Sequence, residues 1–191
     1  MNRSVASNSS DDELYRLYLT GGESGASAID ELMIRYGDSL TVFINGYLHN
    51  MQDAEDMMIE AFARIALKKP TIREGCFKAY LYKTARNLAT RHHMLSTRIE
   101  PFNLDDMEEE IPDRRTPEDH IHNRERNEAI KLCMERIDPK MKEALWLVYI
   151  EDLSYEAAAK IMGVGRKRID KLLQAGKARM RTELDKEGIA R

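Results

Sequence analysis

The sequence predicts an all-α chain: two small helical domains joined by an acidic, proline-containing linker, with a helix-turn-helix in the second. Three observations carry that expectation. First, Ala, Leu, Met, Glu, Lys and Arg, all good helix formers, are plentiful, while aromatic residues make up only 7% of the 191 residues. Second, apolar residues recur at three- and four-residue steps along most of the chain, the period of an amphipathic helix. Third, residues 100–119 hold nine acids and two bases, Arg114 and Arg115, together with Pro101, Pro112 and Pro117. Proline and like charge together oppose helix and compact packing. Residues 100–120 are therefore read as a tether between a domain over 10–99 and a domain over 121–187.

Each helix has its own signals. Asp11 or Asp12 is placed to cap a first helix that runs to Thr20 and is ended by Gly21 and Gly22. Ser24 or Ser27 opens a second, with Ile29, Met33, Tyr36, Leu40, Phe43, Ile44 and Tyr47 at helical spacing. A third spans about 53–67; Met58, Ala61, Phe62 and Ile65 form its apolar stripe, and Lys68, Lys69 and Pro70 stop it. After a loop over 71–75, a fourth covers about 77–95 with the stripe Leu81, Ala85, Leu88, His92 and Leu95. The paired Met57 and Met58, and Tyr80 and Tyr82, read as core filling. In the second domain a helix over about 123–137 precedes Asp138 and Pro139, a good cap followed by a proline at the first helical position. The helix that follows, 139–151, buries Met141, Leu145, Trp146 and Val148. Ser154 then caps a helix over 155–162, Gly163 breaks it, and Gly165 starts the last one.

Charge divides the chain more sharply than composition does. Residues 53–60 hold four acids and no base, and Asp53, Asp56 and Glu60 align at three- and four-residue steps. Residues 64–98 hold nine Lys/Arg and one acid, Glu74; Lys83, Asn87 and Arg91 share a face of the fourth helix, with Arg86 beside it. Between 163 and 181 there are seven Lys/Arg and one acid, Asp170, although the whole chain carries a net charge of −3. Arg166, Lys167, Arg168 and Lys171 crowd the first turns of the last helix. The helix dipole disfavours cations at that end, so an anionic partner is expected to supply the missing interaction. In a helix-turn-helix the second helix enters the DNA major groove N-terminus first, and locally gathered positive charge is the footprint of a nucleic-acid binder.

Several function classes are disfavoured. No apolar stretch reaches the roughly 18 residues of a membrane span, and the N-terminal segment lacks the apolar core of a secretory signal, so a cytoplasmic protein with no membrane insertion of its own is expected. Cys76 and Cys133 are far apart and read as reduced thiols. His120 and His122 have no third ligand nearby, so no metal is expected. No nucleophile elbow, phosphate-binding loop or dinucleotide fingerprint occurs. The expectation is a protein with no catalytic residue, no cofactor and no enzyme activity.

With these residues in place, the chain resembles a known family, the extracytoplasmic-function sigma factors of the sigma-70 family, the promoter-recognition subunits of bacterial RNA polymerase. DAEDMMIEAFARI at 53–65 resembles the family's core-binding helix, FKAYLYKTARNLA at 77–89 its promoter-melting and minus-10 helix, and the stretch over 137–184, with LSYEAAAKIMGVGRKRIDKLLQAGKARM, its minus-35 domain. The similarity covers nearly the whole chain, in order. It implies that Asp53, Asp56 and Glu60 face the clamp helices of core RNA polymerase. Lys83, Arg86, Asn87 and Arg91 would face the non-template strand near minus-10, and the loop over 68–75 would help to hold a flipped base. Arg166, Lys167, Arg168 and Lys171 would enter the major groove of promoter DNA at minus-35. It also implies an anti-sigma factor as a further partner. The chain departs from the family pattern at Gly165, where Ser or Thr usually caps the recognition helix, at Ala157, Asp170 and Leu172, and over 90–94.

Two other readings use the same residues. A helix-turn-helix regulator acting without core polymerase would usually be a dimer on a palindromic site, and leaves the acidic face over 53–60 without a role. A helical adaptor binding only proteins would leave the basic faces as solvated surface.

Overall fold

A computed structural model of the chain describes residues 9–96 and 136–186. The N-terminal tail through residue 8, the 100–120 linker with its prolines, His120, His122, Cys133 and all but the last two residues of the helix expected over 123–137 lie outside the described residues. Among the described residues the regular elements are all helical. The chain divides into two compact units, one on either side of residues 112 and 113.

The first unit holds α1 (Asp11–Thr20), α2 (Gly22–Leu48), α3 (Met51–Lys68) and α4 (Phe77–Ser96). α1 is capped by Ser10, not by Asp11 or Asp12. The Ser10 hydroxyl accepts from the Glu13 backbone and the Glu13 carboxylate accepts from the Ser10 N–H, at 3.3 and 2.8 Å. This reciprocal pair satisfies two orphan donors, and it frees both aspartates for longer-range work. The chain then turns through Gly21, with φ at +80°, and α2 starts directly at Gly22. Neither Ser24 nor Ser27 opens it; the Ser27 hydroxyl instead donates to the Glu23 carbonyl behind it. Gly25 lets the two helices meet, since a Cβ there would lie 3.1 and 3.2 Å from the Tyr18 and Leu17 carbonyl oxygens.

α2 packs against the other three helices of the unit, α1, α3 and α4, which accounts for its length. Its buried stripe is Ala28, Leu32, Tyr36, Leu40, Phe43 and Ile44; Ile29 and Met33, expected there, sit one position off it and are half-buried. α3 is capped by the Asn50 side chain, which accepts from the Gln52 and Asp53 N–H groups, and buries Ala54, Ala61, Phe62 and Ile65. Met58, half-buried, closes over Gly37. On α4 Leu81, Ala85 and Leu88 are buried, as is Tyr82, whose hydroxyl pairs with Ser39 at 2.9 Å. Tyr80 is half-buried. The stripe fails at its end, where Leu95 is 61% exposed. Phe77 stacks beside Tyr15 and Tyr36 at centroid distances of 5.3 and 6.3 Å, and Phe43 beside Tyr82 at 5.1 Å, so an aromatic layer joins α1, α2 and α4. Cys76 is a buried free thiol.

The second unit holds α5 (Pro139–Leu145), α6 (Tyr155–Met162) and α7 (Arg166–Lys186). Asp138 caps α5, accepting from Lys140 and Met141, with Pro139 at the start as the sequence indicated. The expected single helix over 139–151 does not run through. At Trp146 it widens into a π turn, Trp146–Ile150, closed by the Glu151 N–H on the Trp146 carbonyl. The extra residue in that turn lets Trp146, Leu147 and Val148 all point inward while Tyr149 and Ile150 face outward. It also lets the Trp146 indole N–H donate to the buried Glu151 carboxylate at 3.0 Å. Ala144, Leu145, Leu147, Leu153, Ile161, Ile169, Leu172 and Leu173 complete the core. Gly176 of α7 lets Leu145 approach, since a Cβ there would meet its Cδ1 at 3.0 Å. Farther along α7, Glu183 is buried among the cations of Arg136, Arg179 and Lys186.

Candidate nucleic-acid and protein interfaces

The helix-turn-helix is built from local signals. The Ser154 hydroxyl accepts from the Ala157 N–H at 3.1 Å and starts α6. Ala157, Ala158, Ile161 and Met162 are buried, which fixes α6 against the rest of the unit. Gly163, with φ at +65°, ends it in the left-handed conformation that glycine adopts without strain. Two residues later Gly165 accepts from the Arg168 and Ile169 N–H groups, the first turn of α7. Ile169, Leu172, Leu173 and Gly176 face inward. The four cations expected to read DNA, Arg166, Lys167, Arg168 and Lys171, are all exposed.

They are not equivalent. The Arg166 guanidinium is bonded to the carboxylate of Glu156 on α6, a pair that spans the turn. Lys167, Arg168 and Lys171 stand at the beginning of α7 among Gln174 and Ala175, which are exposed as well. Asp170, the one acid here, is half-buried. Farther along, Lys177 lies over the Tyr149 ring at 4.7 Å; its hydrogen bond to Tyr149 is the main cause that lifts its pKa above 10.5, so it too stays charged.

On α3, Asp56 and Glu60 are exposed and Asp53 half-buried. Glu60 is bonded to Arg64 one turn on, at 2.9 and 3.0 Å. At 100° per residue, Asp53, Asp56 and Glu60 fall within one arc that also takes in Ala63 and Leu67. Leu67 is 85% exposed, and Ile59, on the flank of the arc, is 52% exposed. The acids stand out in the sequence as a charge run, whereas these apolar neighbours do not. The available signal was their position off the buried stripe, where a surface helix usually carries polar residues.

On α4, Asn87 and Arg91 are exposed; Lys83 and Arg86 are half-buried and in contact with neighbouring groups. Lys83, Asn87 and Arg91 lie one turn apart on the same side. The loop before α4 presents Thr71, Arg73 and Glu74 outward, while Cys76 and Phe77 turn in. Among the described residues no group of His, Cys, Asp or Glu is placed to hold a metal ion, and no helix is long and apolar enough to cross a membrane.

Comparison with known proteins matches two family models in the order just described: Sigma-70 region 2 over residues 32–98 and Sigma-70, region 4 over 127–180. The chain belongs to the sigma-70 family. Its match to the extracytoplasmic-function RNA polymerase sigma factor SigE of Mycolicibacterium smegmatis is 25% identical, covering 87% of this chain. The chain spans only 65% of that protein's length. Among solved structures, CnrH in complex with the cytosolic domain of CnrY superposes with a TM-score of 0.61 at 16% identity, over 92% of this chain and 97% of that one. The sigma factor RpoE in complex with the anti-sigma factor NepR, from Bartonella quintana, gives 0.58 at 19% identity, over 82% and 96%. These likenesses fix the all-α sigma-factor fold. α1 and the first turns of α2 lie ahead of the region 2 match.

Proposed function

We propose that this sigma-70 family chain binds core RNA polymerase and directs transcription initiation from specific promoters, acting by binding alone. In this reading residues 10–99 form the core-binding and minus-10 domain, 100–120 the linker, and 121–187 the minus-35 domain. The observation that carries it is the start of α7. Exposed cations gather at the N-terminal end of the second helix of a helix-turn-helix, in a chain whose net charge is −3. Arg166, Lys167, Arg168 and Lys171 meet phosphates and base edges of the major groove at minus-35.

Asp53, Asp56 and Glu60 dock on core polymerase. The exposed Leu67 and Ile59 beside them add apolar area to the acidic face, which suits a protein partner. Lys83, Arg86, Asn87 and Arg91, with the loop over 68–75, face the non-template strand near minus-10. An opened base that finds a protein pocket is trapped there, and the bubble is stabilised with no covalent chemistry. The likeness to RpoE, whose structure holds an anti-sigma factor, supports a protein inhibitor of the same kind, and the Sigma-70 region matches support a cytoplasmic site of action.

Transcription in vitro with core polymerase and a genomic template library tests the proposal. New transcripts whose start sites share upstream elements are expected; no new transcript, with no co-elution of chain and core polymerase, defeats it. A regulator independent of polymerase would instead bind duplex DNA as a dimer and fail to co-elute.

A further inference from the structure

The loop that connects α3 to α4 is held from outside as well as from within. Within it the Cys76 N–H reaches the Arg73 carbonyl and the Cys76 thiol the Glu74 carbonyl, while its two ends are tied to α1, 48 to 63 residues away in sequence. At the entry side the Tyr18 hydroxyl donates to the Ala66 carbonyl at 2.7 Å, and the Tyr15 hydroxyl donates to the Pro70 carbonyl at 2.6 Å. Lys69 lies over the Tyr18 ring at 5.3 Å. At the exit side the Asp12 carboxylate accepts from the Gly75 N–H at 2.7 Å, and Arg16 approaches Glu74 at 3.8 Å. α1 is itself fixed. Its cap is the Ser10–Glu13 pair, and Asp11 binds Arg35 at 2.6 Å and the Tyr36 hydroxyl on α2. Burial lifts the Tyr15 pKa to about 12, so its hydroxyl remains a donor at every physiological pH.

These contacts have an unusual direction. The Tyr15 hydroxyl and the Asp12 carboxylate satisfy backbone groups of the loop, and the Tyr18 hydroxyl one in the last turn of α3 just before it. Backbone bonds set the path of the chain whatever side chains it carries, so Thr71, Arg73 and Glu74 remain exposed while their backbone is clamped on both sides. A loop held this way keeps one conformation without its ligand, and the ordering cost of recognition is met in advance.

We propose that α1 is a brace that pre-forms the loop over 70–75 for reading an unpaired base, with Asp12 and Tyr15 as positioning residues. The inference rests on the reading that this loop and α4 face the minus-10 non-template strand. It adds to that reading a helix outside the region 2 match, and it assigns base discrimination to residues that do not touch DNA.

The test uses the full chain assembled with core polymerase and, as probe, a pool of single-stranded DNA of randomised sequence, selected and sequenced. Tyr15→Phe removes only the hydroxyl, Asp12→Ala removes the acceptor, and Asp12→Asn keeps an oxygen that can still accept from Gly75. Tyr15→Phe and Asp12→Ala are each expected to lower discrimination at one position of the probe by about two- to tenfold, the effect of one hydrogen bond. Asp12→Asn restores it. Affinity for core polymerase and for minus-35 duplex stays unchanged in all three, and so does the melting temperature of Asp12→Asn. Unaltered discrimination in Tyr15→Phe and Asp12→Ala overturns the brace, as does a loss in Asp12→Asn equal to that in Asp12→Ala. Asn87→Ala and Arg91→Ala separate the two levels. If they weaken single-strand binding while the α1 variants leave discrimination intact, only the brace fails. If they too change nothing, the minus-10 assignment fails and takes the brace with it.

Discussion

Arg166 enters α7 with its guanidinium already on Glu156, whereas Lys167, Arg168 and Lys171 face solvent. An exposed pair of this kind stabilises the fold little, so its effect is on aim: Glu156 sets where Arg166 points. Duplex binding followed by fluorescence anisotropy across a salt series separates the roles. Lys171→Ala should reduce the slope of log affinity against log salt by about one if it grips phosphate. Glu156→Gln should make that slope more negative, by up to about one, because Arg166 is released toward the backbone. Arg168→Ala should flatten sequence preference by roughly 1–3 kcal/mol at one base pair if it reads a guanine edge; equal loss on every sequence would remove it from the base readers. Tyr15 supplies a pH signature. Its pKa is raised, so its contribution to the first unit is whole below pH 10 and is lost as pH rises toward about 12.

At the scale of elements, caps and close approaches decide where helices start and how near they come. Ser10→Ala should cost about 1 kcal/mol, measured by urea unfolding, because it breaks the reciprocal pair at the head of α1. Ser10 backbone and hydroxyl groups also hold the Glu13 carboxyl below its ordinary 4.5, so that part of the cap is present above pH 4.5 and fades as pH falls below it. Gly25→Ala sets a methyl against two carbonyl oxygens that cannot move without shifting α1. The crowding costs about 1–3 kcal/mol and outweighs a gain in helix propensity of at most about 1 kcal/mol, so the melting temperature should fall. The sequence announced Ser154, Gly163, Asp138 and Pro139 because each signal is local: a hydroxyl or carboxylate within three residues of the N–H it caps, a glycine where φ turns positive. It misplaced the cap of α1 because Ser10, Asp11 and Asp12 are all cap formers, and only Glu13 and the partners of Asp11 choose among them. It missed the π turn for a different reason. The extra residue is stabilised by Trp146 reaching Glu151 and by packing against α6, which a helical period does not register. Period alone puts Leu95 in the core, yet it lies six residues, nearly two turns, past Ala89, the last buried residue of α4. The braces on the loop over 70–75 were illegible for a related reason, since donor and acceptor are separated by 48 to 63 residues.

For the whole molecule, the proposal assigns polymerase binding to one unit and duplex reading to the other, and so predicts that the two separate. Asp56→Lys combined with Glu60→Lys should abolish co-elution with core polymerase while leaving minus-35 duplex affinity within about twofold, since substitutions without shared partners behave independently. Coupled loss of both would contradict the assignment. The charges at the start of α7 have one more consequence, which is kinetic. Beyond roughly 10 Å at ordinary ionic strength charges are largely screened, so neither the net −3 of the chain nor its basic helix acts from afar. The cations at the start of α7 steer the molecule onto a duplex only from within that distance, and its association rate should fall as added salt shortens it.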